Sequence, residues 1–225
     1  MRCRAAWPGT RPVRLFAWNI RQGGGTRLAA ITAALIRRDA DVAVISEYRG
    51  GPSAERLRVA LGAAGYDHMT AVAPLHGCNG VLIAARHPFR DHGVLSVSLP
   101  EPFRIVGIDL EGIRMFGVYM PNMMAKVPYW EALLGALSEA ARTPAIAIGD
   151  FNSCRAYVDE AGAIDKTAHF FEKIEAAGFC DLWRDRNPDR REFSWYSTRG
   201  NGFRIDHAFL SRTLAARRAD PLLAC

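Results

Sequence analysis

The stretch that most restricts how this chain folds is Ala145-Ile146-Ala147-Ile148, running straight into Gly149-Asp150-Phe151-Asn152. An apolar run this short, β-branched at alternate places and closed by glycine, reads as a buried strand. Asp150 and Asn152 stand just beyond its end. If the backbone stays extended there, residues two apart share a face, and a carboxylate and a carboxamide point together. Such a pair suits the orientation of a water molecule, since aspartate accepts its proton while asparagine both donates and accepts. The same residues also suit a capped turn.

Other segments repeat the theme. Residues 13–18 read as a strand that presents Asn19. The Gly23-Gly24-Gly25 triplet lacks the spacing of a phosphate-cradling loop and reads as a flexible connection. Residues 27–38 carry Leu28, Ile31, Leu35 and Ile36 on one helical face, with Thr26 as cap. Residues 41–46 form a second strand, ending at Glu47, followed by a helix begun by Ser53 with Leu57, Val59 and Leu61. Strands are expected around 80–84, 104–109 and 113–119, with Glu111-Gly112 as a hairpin turn. Helices are expected over 130–141 and 166–177, the latter capped by Asp165 and stopped by Gly178. Residues 193–196 and 203–210 read as paired strands. Alternating strands and helices point to an α/β architecture. Residues 1–12, with Pro8 and Pro12, read as an irregular N-terminal segment, and 13–225 as one domain.

The net charge of +6 permits a polyanionic partner without requiring one, and only Lys126, Lys166 and Lys173 are lysines. The basic stretch 184–191 fits a solvated loop or a contact to a phosphate backbone. Five scattered cysteines with no C-x-x-C pair argue against a zinc site and a disulfide framework, and so for a reducing compartment. No apolar run reaches membrane-spanning length. The expectation is a cytoplasmic protein with no membrane partner.

Polar residues collect where apolar strands stop: Asn19, Glu47, Tyr119, Asn122, Asp150, Asn152 and Asp206. Gathered at one sheet rim they would form a hard, oxygen-rich site, suited to Mg2+ or Mn2+ and not to zinc. A metal held that way commonly works on phosphates. The chemistry implied is hydrolysis of a phosphate ester by an activated water.

In their order, the segments WNI, SEYRG, GVYMPN, IGDFNS and FSWYSTRGNGFRIDHAFLS resemble the motif series of the endonuclease/exonuclease/phosphatase superfamily. The resemblance implies a deoxyribonuclease I-like fold, two mixed β-sheets packed face to face and flanked by helices in four layers. It implies metal binding by Glu47 with Asn19 close by, and phosphate contact by Tyr119 and Asn122. Asp150 would orient or deprotonate the water, Asn152 would help fix it and the phosphate, and Asp206 would pair with a histidine or support the metal. Asn79, Trp195 and Arg204 would lie on the substrate side. The activity implied is Mg2+-dependent phosphodiester hydrolysis, foremost by a nuclease acting on DNA. The alternatives are a phosphatase or phosphodiesterase acting on a small or lipid phosphoester, and a binder of phosphate or nucleic acid with impaired catalysis.

One departure stands out. The superfamily closes on an S-D-H-x-P segment, and TLAARRADPLLAC after Ser211 does not supply it. His207 directly follows Asp206, so strand alternation turns it to the opposite face. His76, His87 and His92 fall in loops or strand ends, and Asp220-Pro221 is a residual carboxylate. The expectation is a shortened C-terminus, with slowed hydrolysis, retained metal binding and an unpaired strand edge.

Overall fold

Strand after strand in this chain is apolar on both faces, which demands a cover on each side of a sheet. A computed structural model describes residues 13–72, 77–162 and 164–216, together with the backbone of residues 2–5. One set of alternate residues, including Leu15, Ala17, Val42, Val44, Val81, Ile83, Val106, Ile108, Ile146, Ile148, Ala208 and Leu210, forms the core between two sheets. Phe16, Ala43, Ile45, Leu82 and Ala84 face outward from the first sheet and pack with helix residues Ile31, Leu35, Leu57 and Leu61. Ile105, Phe116, Val118, Ala147 and Phe209 face outward from the second, against Trp130, Leu133, Leu137, Phe170 and Ile174.

The first sheet comprises β1 (Arg2–Ala5), β2 (Val13–Asn19), β3 (Val42–Tyr48), β4 (His68–Thr70) and β5 (Gly80–Ala85), in the order β1-β2-β3-β5-β4. Within it only β2 and β3 run parallel. Its outer face carries α1 (Leu28–Arg38) and α2 (Pro52–Ala63). The second sheet holds β6 (Arg90–Val94), β7 (Ile105–Leu110), β8 (Ile113–Tyr119), β9 (Ala145–Asp150) and β10 (Phe179–Asp181). A two-stranded ribbon, β11 (Trp195–Tyr196) with β12 (Gly202–Phe203), precedes its last strand, β13 (Asp206–Ser211). The order is β10-β13-β9-β8-β7-β6, with β8 and β9 parallel. On the outer face lie α3 (Val127–Ala140) and α4 (His169–Ala176), while α5 (Leu182–Arg186) and α6 (Arg212–Ala216) are single short turns. Both sheets are mixed and the layers number four, as the motif series implied.

Several boundaries differ from the sequence reading. Residues 2–5 are not irregular: they pair antiparallel with residues 13–16, so β2 has a neighbour on each side. The expected single strand over 203–210 is split between the ribbon and β13, because Arg204 between them turns into the interior. The fourth helix begins at His169 instead of 166, its preceding turn held by Asp165, which accepts from the Thr167 N–H and hydroxyl. Val59, assigned to the apolar face of α2, is 63% exposed. Strands β4, β6 and β10 escaped the sequence reading, being short or polar. The Glu111-Gly112 turn joins β7 to β8 as expected, both residues at positive φ. His76 and Asp220-Pro221 lie outside the described residues.

Gly149 shows what the central segment demands. Its φ is +146°, and a Cβ there would stand 2.1 Å from the carbonyl oxygen of Val118 on β8. Only glycine lets β8 and β9 come this close beside Asp150. Gly149→Ala should therefore cost about 2 kcal/mol or more, by the usual scale for overpacking. A melting curve unchanged from wild type would contradict this packing.

Candidate active site

The inter-sheet core rows end in polar residues at one rim. Ile146 and Ile148 point inward, and two residues further on so does Asp150; Ala17 leads in the same way to Asn19, and Ala208 leads back to Asp206. Period-two alternation thus aims all three groups into the mouth between the sheets. Tyr119, Asp150 and Asp206 sit side by side as cross-strand partners on β8, β9 and β13.

Asn19 joins the two sheets. Its Nδ2 donates to Glu47 Oε1 and to Asp150 Oδ2, each at 2.8 Å. Glu47 owes its aim to a β-bulge: the β3–β5 register shifts between Ser46 and Tyr48, and Glu47 takes φ +56°. The extra residue turns into the mouth a side chain that strict alternation would place otherwise. Asn79, just before β5, donates to Glu47 Oε2 at 3.2 Å and to the Tyr119 hydroxyl at 3.4 Å, and accepts from Arg49 Nε at 2.5 Å. The guanidinium of Arg104 lies 4.6 Å from the centre of the Tyr119 ring. Burial raises the pKa of the Tyr119 phenol, against the opposing influence of Asn79 and Arg104.

The glycine triplet is not a slack connection. Residues 21–25 all hold positive φ, forming a tight left-handed turn. From it the Arg21 N–H donates to Asn19 Oδ1 at 2.8 Å and the Gln22 N–H to Glu47 Oε2 at 2.7 Å. The three glycines that begin four residues after the strand-end Asn19 were the available signal, since glycine is the residue that takes positive φ most readily. A cavity of about 430 Å³ opens beside Glu47, lined by Arg21, Gln22, Gly24, Gly25, Thr26 and Arg27. A larger one, about 810 Å³, lies between β6–β8 and α3 and includes none of these strand-end residues.

Asn152 does not continue the strand. It adopts φ +46°, so that its backbone N–H returns to Asp150 Oδ1 at 2.9 Å and its Nδ2 donates to the Met120 carbonyl at 2.7 Å. Of the two sequence readings the turn is the one the backbone adopts: Asn152 leaves the extended conformation, and its backbone N–H, not a shared strand face, fixes Asp150. Asp206 is set from behind by Ser194, whose Oγ accepts from the N–H groups of Ile205 and Asp206 at 3.1 and 3.3 Å. Asn122 is exposed just past β8, outside the hydrogen-bonded set, and Trp195 is exposed on the ribbon.

Arg204 is not on the substrate side. It is 4% exposed and locked by Asp159 (2.8 and 2.9 Å) and Asp181 (2.6 Å). Its charge is needed there because two buried carboxylates without it would be prohibitive. His207 faces away from Asp206, as alternation requires, and stands between Asp181 Oδ2 (3.0 Å) and the Ser153 carbonyl (2.9 Å). Burial alone would raise the Asp181 pKa, but His207 and Arg204 hold it far below the usual carboxylate range. Asp159, Asp181 and His207 have the spacing of a metal site. Their cation, however, is already present as the guanidinium of Arg204, with Arg184 also on Asp159. Arg204→Met should lower stability by roughly 3–5 kcal/mol, the scale for breaking a buried pair. A urea-denaturation midpoint unchanged from wild type would contradict this role.

The rim is the opposite case. Among the described residues, Glu47, Asp150 and Asp206 have no ion-pair partner of either arginine or lysine type. Burial, then the charge of Asp206, push the Asp150 carboxyl up to about 7, against the hydrogen bonds from Asn19 and Asn152. Hard oxygen donors with uncompensated negative charge fit a small divalent cation. The pH dependence follows in sign. A carboxyl whose pKa is about 7 when folded and ordinary when unfolded disfavours folding increasingly as pH rises from about 4 to 7. In EDTA, Asp150→Asn should therefore melt higher than wild type at pH 8 and close to it at pH 5. A gain of equal size at both values would remove this account.

Residues 16–225 match the endonuclease/exonuclease/phosphatase family, and the chain belongs to it. That family is a class of phosphoester hydrolases. No curated protein matches the sequence. Among solved structures, an AP endonuclease from Archaeoglobus fulgidus is similar at TM-score 0.74 and 21% identity, over 90% of this chain and 87% of that one. A 3′ phosphatase, NExo, from Neisseria bound to product DNA hairpin gives 0.75 and 22%, over 90% and 87%. A 3′-5′ exonuclease (NExo) from Neisseria meningitidis gives 0.74 and 22%, again over 90% and 87%. These likenesses establish the fold.

Proposed function

We propose that the protein hydrolyses phosphoester bonds in DNA, as a nuclease dependent on Mg2+ or Mn2+. The observation that carries this reading is the uncompensated carboxylate group Glu47, Asp150 and Asp206, with Asn19 bridging two of its members. Glu47 and Asn19 would hold the cation, with Asp206 close enough to Asp150 to share its field. When bound, such an ion neutralises charge on a phosphoryl group and assists formation of the attacking hydroxide.

The chain's own residues divide the remaining work. Asp150, fixed through both oxygens by Asn19 and the Asn152 N–H, accepts the proton of the attacking water. The Tyr119 hydroxyl and the Asn79 and Asn122 amides supply donors for non-bridging phosphate oxygens. Arg21 and Arg27, beside the Glu47 cavity, suit the neighbouring phosphates of a strand. Exposed Trp195 and Tyr196 on the ribbon offer faces on which bases stack. Similarity to structures of an AP endonuclease and of a phosphatase bound to a DNA hairpin supports nucleic acid over a lipid phosphoester.

The test is incubation with plasmid, abasic duplex, a 3′-phosphorylated oligonucleotide and p-nitrophenyl phosphodiester, each with Mg2+ and with EDTA. DNA cleavage or dephosphorylation should need the metal. Asp150→Ala should lower it at least ~10³-fold, given how far site residues act as a unit. Turnover of the nitrophenyl ester alone would favour a small-molecule esterase, and activity that survives EDTA would sink the metal-dependent reading.

A further inference from the structure

One charged group close to the site has no place in the chemistry above. Lys126, at the end of the turn that leads into α3, is 2% exposed. Its ammonium donates to the backbone carbonyl of Asn152 and pairs with Asp165 Oδ2 at 3.1 Å. Asp165 is itself tied down, accepting from the Thr167 N–H and hydroxyl at 2.8 and 2.7 Å and from the Cys154 N–H at 3.3 Å. A buried ammonium costs several kcal/mol to desolvate, and one carboxylate seldom repays that in full. Stability alone is therefore a weak reason for a lysine here.

What Lys126 touches is the strained link of the site. Asn152 holds φ +46°, a left-handed conformation uncommon outside glycine; asparagine enters it more readily than other side chains, but local contacts still have to select it over the extended path of β9. In that conformation its N–H reaches Asp150 Oδ1 and its amide reaches the Met120 carbonyl. Lys126 grips the carbonyl on the far side of the same residue. We propose that Lys126, braced by Asp165, is a positioning residue that holds Asn152 in the left-handed turn and thereby aims the Asp150 carboxylate. It touches neither substrate nor metal, being sealed beneath the loop. The inference rests on the role of Asp150 proposed above.

Removing the ammonium alone would strand a buried charge, so the variant to use is K126M/D165N, which removes both charges and leaves an amide oxygen for Thr167. The companion is K126R, which keeps a cation under the Asn152 carbonyl. On metal-loaded protein with a DNA substrate, K126M/D165N should lose about 10–100-fold in kcat, the usual cost of an outer-shell contact. Its KM should stay within about two-fold, because substrate contacts are untouched. K126R should recover most of the loss. A crystal structure of K126M/D165N should show Asn152 out of the left-handed region and its N–H parted from Asp150. A double variant that melts like wild type, keeps full kcat and keeps Asn152 at positive φ overturns the proposal. Should the unsubstituted protein cleave no phosphoester at all, the hydrolase reading falls, and the geometry of Asn152 in the variant still decides the role of Lys126.

Discussion

The carboxamide of Asn19 is the contact on which the site depends. One –NH2 group donates to two carboxylates that come from different sheets, Glu47 on β3 and Asp150 on β9. Two such acids repel one another, and in a low-dielectric mouth the repulsion is substantial. A neutral double donor brings them together without cancelling their charge. An arginine in the same place would neutralise the pair and leave nothing for a cation to do; buried Arg204 does this for Asp159 and Asp181. Within one chain, two clusters of acids are thus treated in opposite ways. One is neutralised and load-carrying in the interior, the other left hungry for charge at the rim.

The sandwich makes this arrangement inexpensive in chain length. A core between two sheets must end somewhere, and at its end the inward-facing rows continue for one more residue with water on one side. Asn19, Tyr119, Asp150 and Asp206 are those residues. Each inherits a fixed direction from the apolar positions two residues away, and the buried aliphatic rows keep the strands from shifting register. The polar groups need no dedicated scaffold, because the strands that carry them are the scaffold.

This is also why so much could be read from the residues alone. Strand-terminal position is a property of sequence, and it singled out Asn19, Glu47, Tyr119, Asp150 and Asp206; alternation gives the direction of all of these but Glu47, which the bulge turns inward. What resisted reading has physical causes. Arg204 resembles any basic residue near a substrate until Asp159 and Asp181, 45 and 23 positions away, are seen to enclose it. Lys126 looks like a surface lysine in the connection that leads into α3. The short strands β4, β6 and β10 owe their extension to neighbours instead of to their own composition. The turn at 21–25 was misjudged because glycine permits both looseness and a strained, fully specified path, and only the acceptors on Asn19 and Glu47 decide between them.

The bulge at Glu47 carries a lesson for anyone who would transplant this chemistry. Lifting Ser46-Glu47-Tyr48 onto a regular strand of another scaffold would leave the acid facing the wrong layer, even with every side chain identical. The unit to graft is the strand together with its defect and the β5 partner that accommodates it. An irregularity in pairing, and not a residue type, is here the heritable element.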